Sequence, residues 1–162
     1  IMGGAISAPA IMGVLNGCTA KPNLDWKPAF LTEDQALLVA QVAEIIIPKT
    51  DTPGAKEVGV PGFIDVLLKD CYSKEEQDRF IAGLIAFDEL AAKEQGDLFV
   101  ALDADAQQAF VKKAHDAAMA AEKGANKPEK RPFILTMKEL TMLGFFTSEV
   151  GATQVLQYVA VP

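Results

Sequence analysis

Residues 32–48 read TEDQALLVAQVAEIIIP, and this stretch decides the fold that the sequence predicts. Thr32 and Gln35 form a capping-box pattern, in which each side chain satisfies a free backbone N–H at the start of a helix. Apolar residues then recur at helical spacing until Pro48, which cannot continue a helix. The apolar face consists of Ala36, Val39, Ala40, Ala43, Ile46 and Ile47.

A loop and a second helix are predicted directly after this first helix. Residues 48–60 contain two prolines, two glycines and a Thr-Asp-Thr cluster, which favour an ordered loop. Pro61 suits the first position of a helix because its missing N–H needs no partner there. We expect the buried face of this second helix to consist of Phe63, Val66, Leu67 and Asp70 or Cys71.

The rest of the chain carries three more helix patterns and a short sixth element. Ser73 and Glu76 form a second capping box, Asp103 suits an N-cap, Pro132 precedes the fifth helix and Ser148 precedes the last element. No stretch alternates with period two, so the sequence predicts an all-α bundle of five to six helices. The side chains expected to be buried are Phe80, Leu84, Phe87, Ala91, Phe110, Ala114, Ala117, Ala121, Phe133, Met137, Leu140, Gly144, Val150, Val155 and Leu156.

The first residues resemble the rear half of a bacterial export signal. Ile1 to Gly17 is uncharged, and Leu15-Asn16-Gly17-Cys18 resembles a lipoprotein processing site, which makes Cys18 a candidate lipidation site. No basic region precedes the apolar run, so we expect the natural chain to begin further upstream. The predicted division is an export signal remnant at 1–18, a tether at 19–29 and a single helical domain at 30–162. The predicted location is the periplasm or the outer face of a bacterial membrane.

The sequence is also compatible with other interpretations of this region. The apolar run is also compatible with a loosely packed or disordered terminus. If Cys18 is not processed, it could form a disulfide with Cys71 in an oxidising compartment. Otherwise we expect Cys71 to be buried as a small hydrophobe.

Charge and motif content exclude several classes of function. The formal charge of -7 argues against nucleic-acid binding, which needs a basic face. Residues 123–131 are locally basic and either meet an acidic partner or form a solvated connection. No dinucleotide-binding, Walker or haem-attachment motif occurs, and His115 is the only histidine. Neither Asp65 nor Asp88 has an obvious second carboxylate to act with it, so nothing marks an acid and base pair.

Two sequence blocks together resemble the gluconate 2-dehydrogenase subunit 3 family. In the first, Phe30-Leu31-Thr32 is followed by EIIIPKTDTPGA at 44–55 and by VGVPGFID at 58–65. The second is KELTMLGFFTSEVG at 138–151, with Tyr158 beyond it. The resemblance extends from Phe30 to Pro162, and the Ile-Pro-x-Thr-Asp-Thr-Pro-Gly-Ala pattern is its most distinctive part.

The resemblance implies a helper subunit rather than a catalyst. In complexes of this family the FAD lies in a separate large flavoprotein subunit, and electrons pass to a multihaem cytochrome c subunit or another acceptor. The small subunit resembles an escort that supports folding and twin-arginine export of the flavoprotein, and no cofactor is expected in this chain. The loop and the second block supply the candidate partner interface, which consists of Pro48, Thr50, Asp51, Pro53, Phe63, Phe146, Ser148 and Glu149.

Two other functions compete with this one. A stand-alone, lipid-tethered helical binding module in the periplasm would need a sizeable apolar pocket with a few polar groups. An enzyme in its own right would need a constellation of distant residues such as His115, Glu149 and Tyr158.

Overall fold

Five α-helices make up most of the chain that the computed structural model describes, which is residues 24–124 and 131–156. Two short turns accompany them, and no strand occurs in these ranges, so the predicted all-α class is confirmed. The predictions for Cys18, Tyr158 and most of the basic stretch lie outside the described residues. The helices are α1 Glu33–Ile46, α2 Val60–Cys71, α3 Lys74–Gln95, α4 Ala104–Lys123 and α5 Phe133–Thr147, with a 3₁₀ turn at Phe99–Ala101 and a π-helical turn at Gly151–Val155.

The starts of α1, α3 and α4 are those that the sequence predicts, and α2 begins at Val60, one residue before the predicted Pro61. The Thr32 hydroxyl accepts a hydrogen bond from the backbone N–H of Gln35 at 3.2 Å, and the Gln35 side chain accepts from the backbone of Thr32 at 3.0 Å. Ser73 and Glu76 repeat this box at α3, and hydrogen bonds from Ser73 hold the pKa of Glu76 below its ordinary value. Asp103 caps α4 by accepting from the N–H of Ala106. These local signals need no tertiary contact to work.

Helix α5 is the centre of the bundle because it packs against each of the other four helices. Its predicted core residues Met137, Leu140 and Gly144 are buried. At its first turn Phe133 packs closely on Gly83 of α3. Phe rings from α3, the 3₁₀ turn, α4 and α5 complete this part of the core, with neighbouring ring centroids 5.0 to 6.1 Å apart among Phe80, Phe87, Phe99, Phe110 and Phe133.

The predicted buried face of α2 is wrong at most positions: Leu67 is partly buried against the core, but Asp70 is exposed. Phe63 and Val66 are 36% and 49% exposed, whereas Ile64, Asp65 and Leu68 are buried. The apolar-spacing argument fails because α2 is apolar on two sides and turns its polar Asp65 inward. That rotation brings the Asp65 carboxylate against the backbone that precedes α1.

Three smaller predictions about burial are also wrong. On α4 Ala117 and Ala121 are exposed, and Gln107 is buried because its amide donates to the carbonyl of Phe99 at 2.9 Å. At the end of the described chain Val155 and Leu156 are exposed. Cys71 is exposed at the last residue of α2 and forms no disulfide within the described residues.

The Asp65 carboxylate holds the approach to α1 against α2. One carboxylate oxygen accepts from the backbone N–H of Ala29 at 2.6 Å, and the other accepts from Phe30 at 3.1 Å and Leu31 at 2.7 Å. Asp65 is only 1% exposed. A buried carboxylate is tolerated when several donors replace its water, and here three consecutive N–H groups do so.

Replacing Asp65 therefore tests the polar contact that joins α2 to the segment before α1. Asp65→Ala leaves the three N–H groups without their acceptor, and we expect it to lower the free energy of unfolding by about 3 kcal/mol. Asp70→Ala, on the exposed side of the same helix, is the matched control and should change it by less than about 0.5 kcal/mol. Urea unfolding followed by circular dichroism measures both, and equal stabilities would refute the role assigned to Asp65.

Candidate partner-binding surface

Glu44, in the last turn of α1, holds both ends of the loop that carries half of the candidate interface. One carboxylate oxygen accepts from the backbone N–H of Lys49 at 3.1 Å, and the other accepts from Lys56 at 2.9 Å. A single side chain thus joins two points of the loop that are seven residues apart. This contact fixes the loop relative to α1 in the absence of regular secondary structure.

The backbone of the loop packs closely beneath this carboxylate. The N–H of Ala55 donates to the carbonyl of Ile47 at 2.9 Å, and the N–H of Val60 donates to the carbonyl of Ala55 at 3.0 Å. Gly54 lies so near Glu44 that an added Cβ would stand 2.7 Å from one carboxylate oxygen and 2.7 Å from the Lys49 nitrogen. Only glycine leaves room for the two hydrogen bonds of Glu44.

The outer side of the loop is available to a partner. Pro48, Thr50 and Asp51 are exposed, and Pro53 is half-buried. Lys49 and Glu57 form an ion pair at 2.6 Å, which raises the pKa of Lys49 and lowers that of Glu57. Asp51 has no hydrogen bond or ion pair with any residue of the described ranges. The loop therefore presents a negative charge between prolines.

The other candidate interface residues lie around the end of α5. Phe63 of α2 packs on Gly144, where an added Cβ would stand 2.8 Å from the Phe63 ring. The Phe146 ring meets Phe145 edge to face, with centroids 5.5 Å apart. Ser148 ends the helix, donating its hydroxyl to the carbonyl of Phe145 at 2.6 Å and accepting from the N–H of Gly151 at 3.1 Å. Glu149 is exposed beside it.

The two groups of candidate residues stay separate in the hydrogen-bond network. Within residues 24–124 and 131–156, no hydrogen bond or ion pair joins Pro48, Thr50, Asp51 or Pro53 to Phe63, Phe146, Ser148 or Glu149. Their use by one partner stays a prediction.

Two exposed apolar residues on α5 were missed by the sequence reasoning. Met142 and Leu143 are 40% and 48% exposed, although α5 already packs against four helices. A helix that is apolar around its whole circumference is normally buried on all sides. The signal that could have identified them is the unbroken stretch LTMLGFF at 140–146, which has no polar side apart from Thr141.

Of the residues considered for catalysis, His115 and Glu149 lie at different places on the bundle, and Tyr158 lies outside the described residues. The His115 ring nitrogens lie 3.1 Å from Lys138 Nζ and 3.5 Å from Asp116 Oδ1, whereas Glu149 follows the far end of α5. Asp88 accepts from the backbone N–H of Phe99 at 2.8 Å, so it holds the 3₁₀ turn. The described residues contain no group of three or more side chains suited to a metal ion, and none of their helices is long and apolar enough to cross a membrane.

Comparison with protein families gives a match that spans the helical structure. The family described as gluconate 2-dehydrogenase subunit 3 matches residues 33–162, from the first residue of α1 onward. This range includes the Glu44 loop and the second sequence block. Comparison with curated proteins and with solved structures gives no significant match.

The close approach of Gly54 to Glu44 gives a testable consequence. Gly54→Ala forces the Glu44 carboxylate and the Lys49 backbone apart, and we expect it to lower the free energy of unfolding by about 1–3 kcal/mol. Gly62→Ala is the control, because a Cβ there would stand 3.8 Å from the Trp26 ring, an ordinary contact distance. Hydrogen exchange should show faster exchange of the Lys49 and Lys56 amides in Gly54→Ala alone. Unchanged exchange would contradict the assigned contact.

Proposed function

Because the chain belongs to the gluconate 2-dehydrogenase subunit 3 family, we propose that it is the non-catalytic small subunit of a flavin-dependent sugar or sugar-acid dehydrogenase complex. In this proposal it supports maturation, export and assembly of the large flavoprotein, which holds the FAD. The complex is associated with the membrane on the periplasmic side, and a cytochrome c subunit or another acceptor takes the electrons. The family membership carries the proposal.

The loop at 48–60 supports a binding role because it is fixed before any partner arrives. Glu44 pins it at Lys49 and Lys56, and the prolines restrict its backbone further. A loop that is already ordered loses little conformational entropy on binding. The exposed Asp51 places a negative charge on the loop, which favours a partner with a basic patch.

The exposed apolar side chains support a stable rather than a transient complex with the partner. Phe63 and Val66 on α2, and Met142 and Leu143 on α5, are each more than a third exposed. Removing such side chains from water contributes about 25 cal/mol per Å² of apolar area. Subunits of stable complexes hide apolar surface of this kind against each other.

The use of the carboxylates also supports an accessory role. Glu44, Asp65 and Asp88 each accept hydrogen bonds from backbone N–H groups of another segment. Each is therefore occupied in holding a loop, a segment or a turn in place. A general base must instead reach a substrate proton.

The stand-alone binding module remains the alternative and has one observation in its favour. A cleft of about 420 Å³ lies between the segment before α1, the middle of α1 and the start of α2. Trp26, Leu37 and Pro61 provide its apolar walls, and Gln41 and Lys56 provide polar groups. Ligand sites of this size and composition are common. The two functions differ in whether a flavoprotein depends on the chain.

Co-expression with the large flavoprotein subunit of the same organism tests the proposal. We expect exported, FAD-containing and active flavoprotein only when this chain is present, because an unescorted subunit stays immature. Asp51→Lys should reduce copurification at least about tenfold, because it replaces the exposed negative charge at position 51 with a positive one. Glu89→Lys is the matched control, since Glu89 is exposed on α3, a helix that contains no candidate interface residue.

Two outcomes would contradict this proposal: the first rejects the accessory function itself, and the second rejects the contact of the loop at Asp51. One is a flavoprotein that is exported with full FAD content and activity without this chain. The other is equal loss of copurification in Asp51→Lys and Glu89→Lys, which would indicate a general effect of charge rather than a contact of the loop.

A further inference from the structure

A second cleft lies between the last turn of α1, the middle of α4 and the first half of α5. Its volume is about 290 Å³. Ile45 and Ile46 of α1, Val111 of α4 and Ile134 of α5 form its apolar walls. None of these belongs to the candidate partner interface, and the function proposed above assigns this cleft no role.

A lysine and the single histidine of the chain meet at this cleft. Lys138 Nζ lies 3.1 Å from His115 Nε2. An ammonium group only donates, so the imidazole accepts at Nε2 and carries its proton on Nδ1, which faces Asp116 Oδ1 at 3.5 Å. This contact uses one of the three ammonium hydrogens of Lys138. The other two are available for an acceptor in the cleft.

The charge of Lys138 is not balanced by an acid within the described residues. The other lysine at the cleft, Lys112, is paired with Asp116 at 2.7 Å, which raises the pKa of Lys112 and lowers that of Asp116. Lys138 forms no ion pair in residues 24–124 and 131–156, and the residues that line the cleft include no carboxylate. In a chain with a formal charge of -7, this leaves a positive end beside apolar walls.

We propose that this cleft binds a small carboxylate that carries a short alkyl chain. The carboxylate accepts from Lys138 in a charge-assisted hydrogen bond, and the alkyl chain lies against the isoleucines and Val111. An inorganic anion would leave the apolar walls in water, and a neutral alkyl compound would leave the ammonium without a charged partner. The volume is at the lower end of the range for ligand sites, which restricts the ligand to a small molecule.

The imidazole of His115 provides a direct readout, because no other histidine contributes signals. The probe is sodium octanoate, added to the purified chain without a histidine tag and followed by proton NMR of the His115 ring. We expect a saturable shift with a Kd on the order of 1 mM. Acetate and 1-octanol, which each lack one half of the proposed ligand, should bind at least about tenfold more weakly.

Lys138→Met keeps the aliphatic stem and removes the charge, and we expect it to weaken octanoate binding at least about tenfold. Lys69→Met, at an exposed position of α2, is the matched control and should bind as the parent chain does. Thermal unfolding of both variants verifies that each is folded. A shift without saturation, equal binding of 1-octanol, equal binding of acetate, or full binding by a folded Lys138→Met variant would each overturn the proposal. The test needs no flavoprotein, so its result is separate from that of the proposed function.

Discussion

The arrangement of the first two helices depends on the hydrogen bonds that the Asp65 carboxylate accepts. These hydrogen bonds come from three consecutive backbone N–H groups, Ala29 to Leu31, where the chain has no regular structure. Hydrogen bonds to a charged group in a buried site are strong, and leaving those donors unpaired is costly. This requirement fixes the rotation of α2 about its axis. The same rotation leaves Phe63 and Val66 on the outside.

Glu44 makes the same kind of contact at the other end of α1. Its carboxylate joins Lys49 and Lys56 of the following loop, and Gly54 makes the approach possible by lacking a side chain. Hydrogen bonds to a carboxylate on a helix thus order this irregular segment. The result is a rigid loop whose outer side remains free, which is the property that a partner-binding segment requires.

Helix α5 links the fold to the proposed function. It contacts all four other helices, so its position is fixed by the whole bundle, and it still exposes Met142 and Leu143. Its first half lines the Lys138 cleft, and its second half meets Phe63 through Gly144. The exposed apolar side chains of this helix are held in place only when the whole bundle is folded. They are then available for contact with a larger protein. This combination suits a subunit that accompanies a flavoprotein.

The sequence by itself determined the features that depend on neighbouring residues. The capping boxes at Thr32 and Ser73, the cap at Asp103 and the buried side of α3 follow from residues within a few positions of one another. The family blocks identified the loop, although not the carboxylate that holds it. Only the tertiary structure decided the face of α2, the role of Asp65 and the pairing of His115 with Lys138. Those depend on groups 23 to 36 residues apart, which come together only when the helices pack.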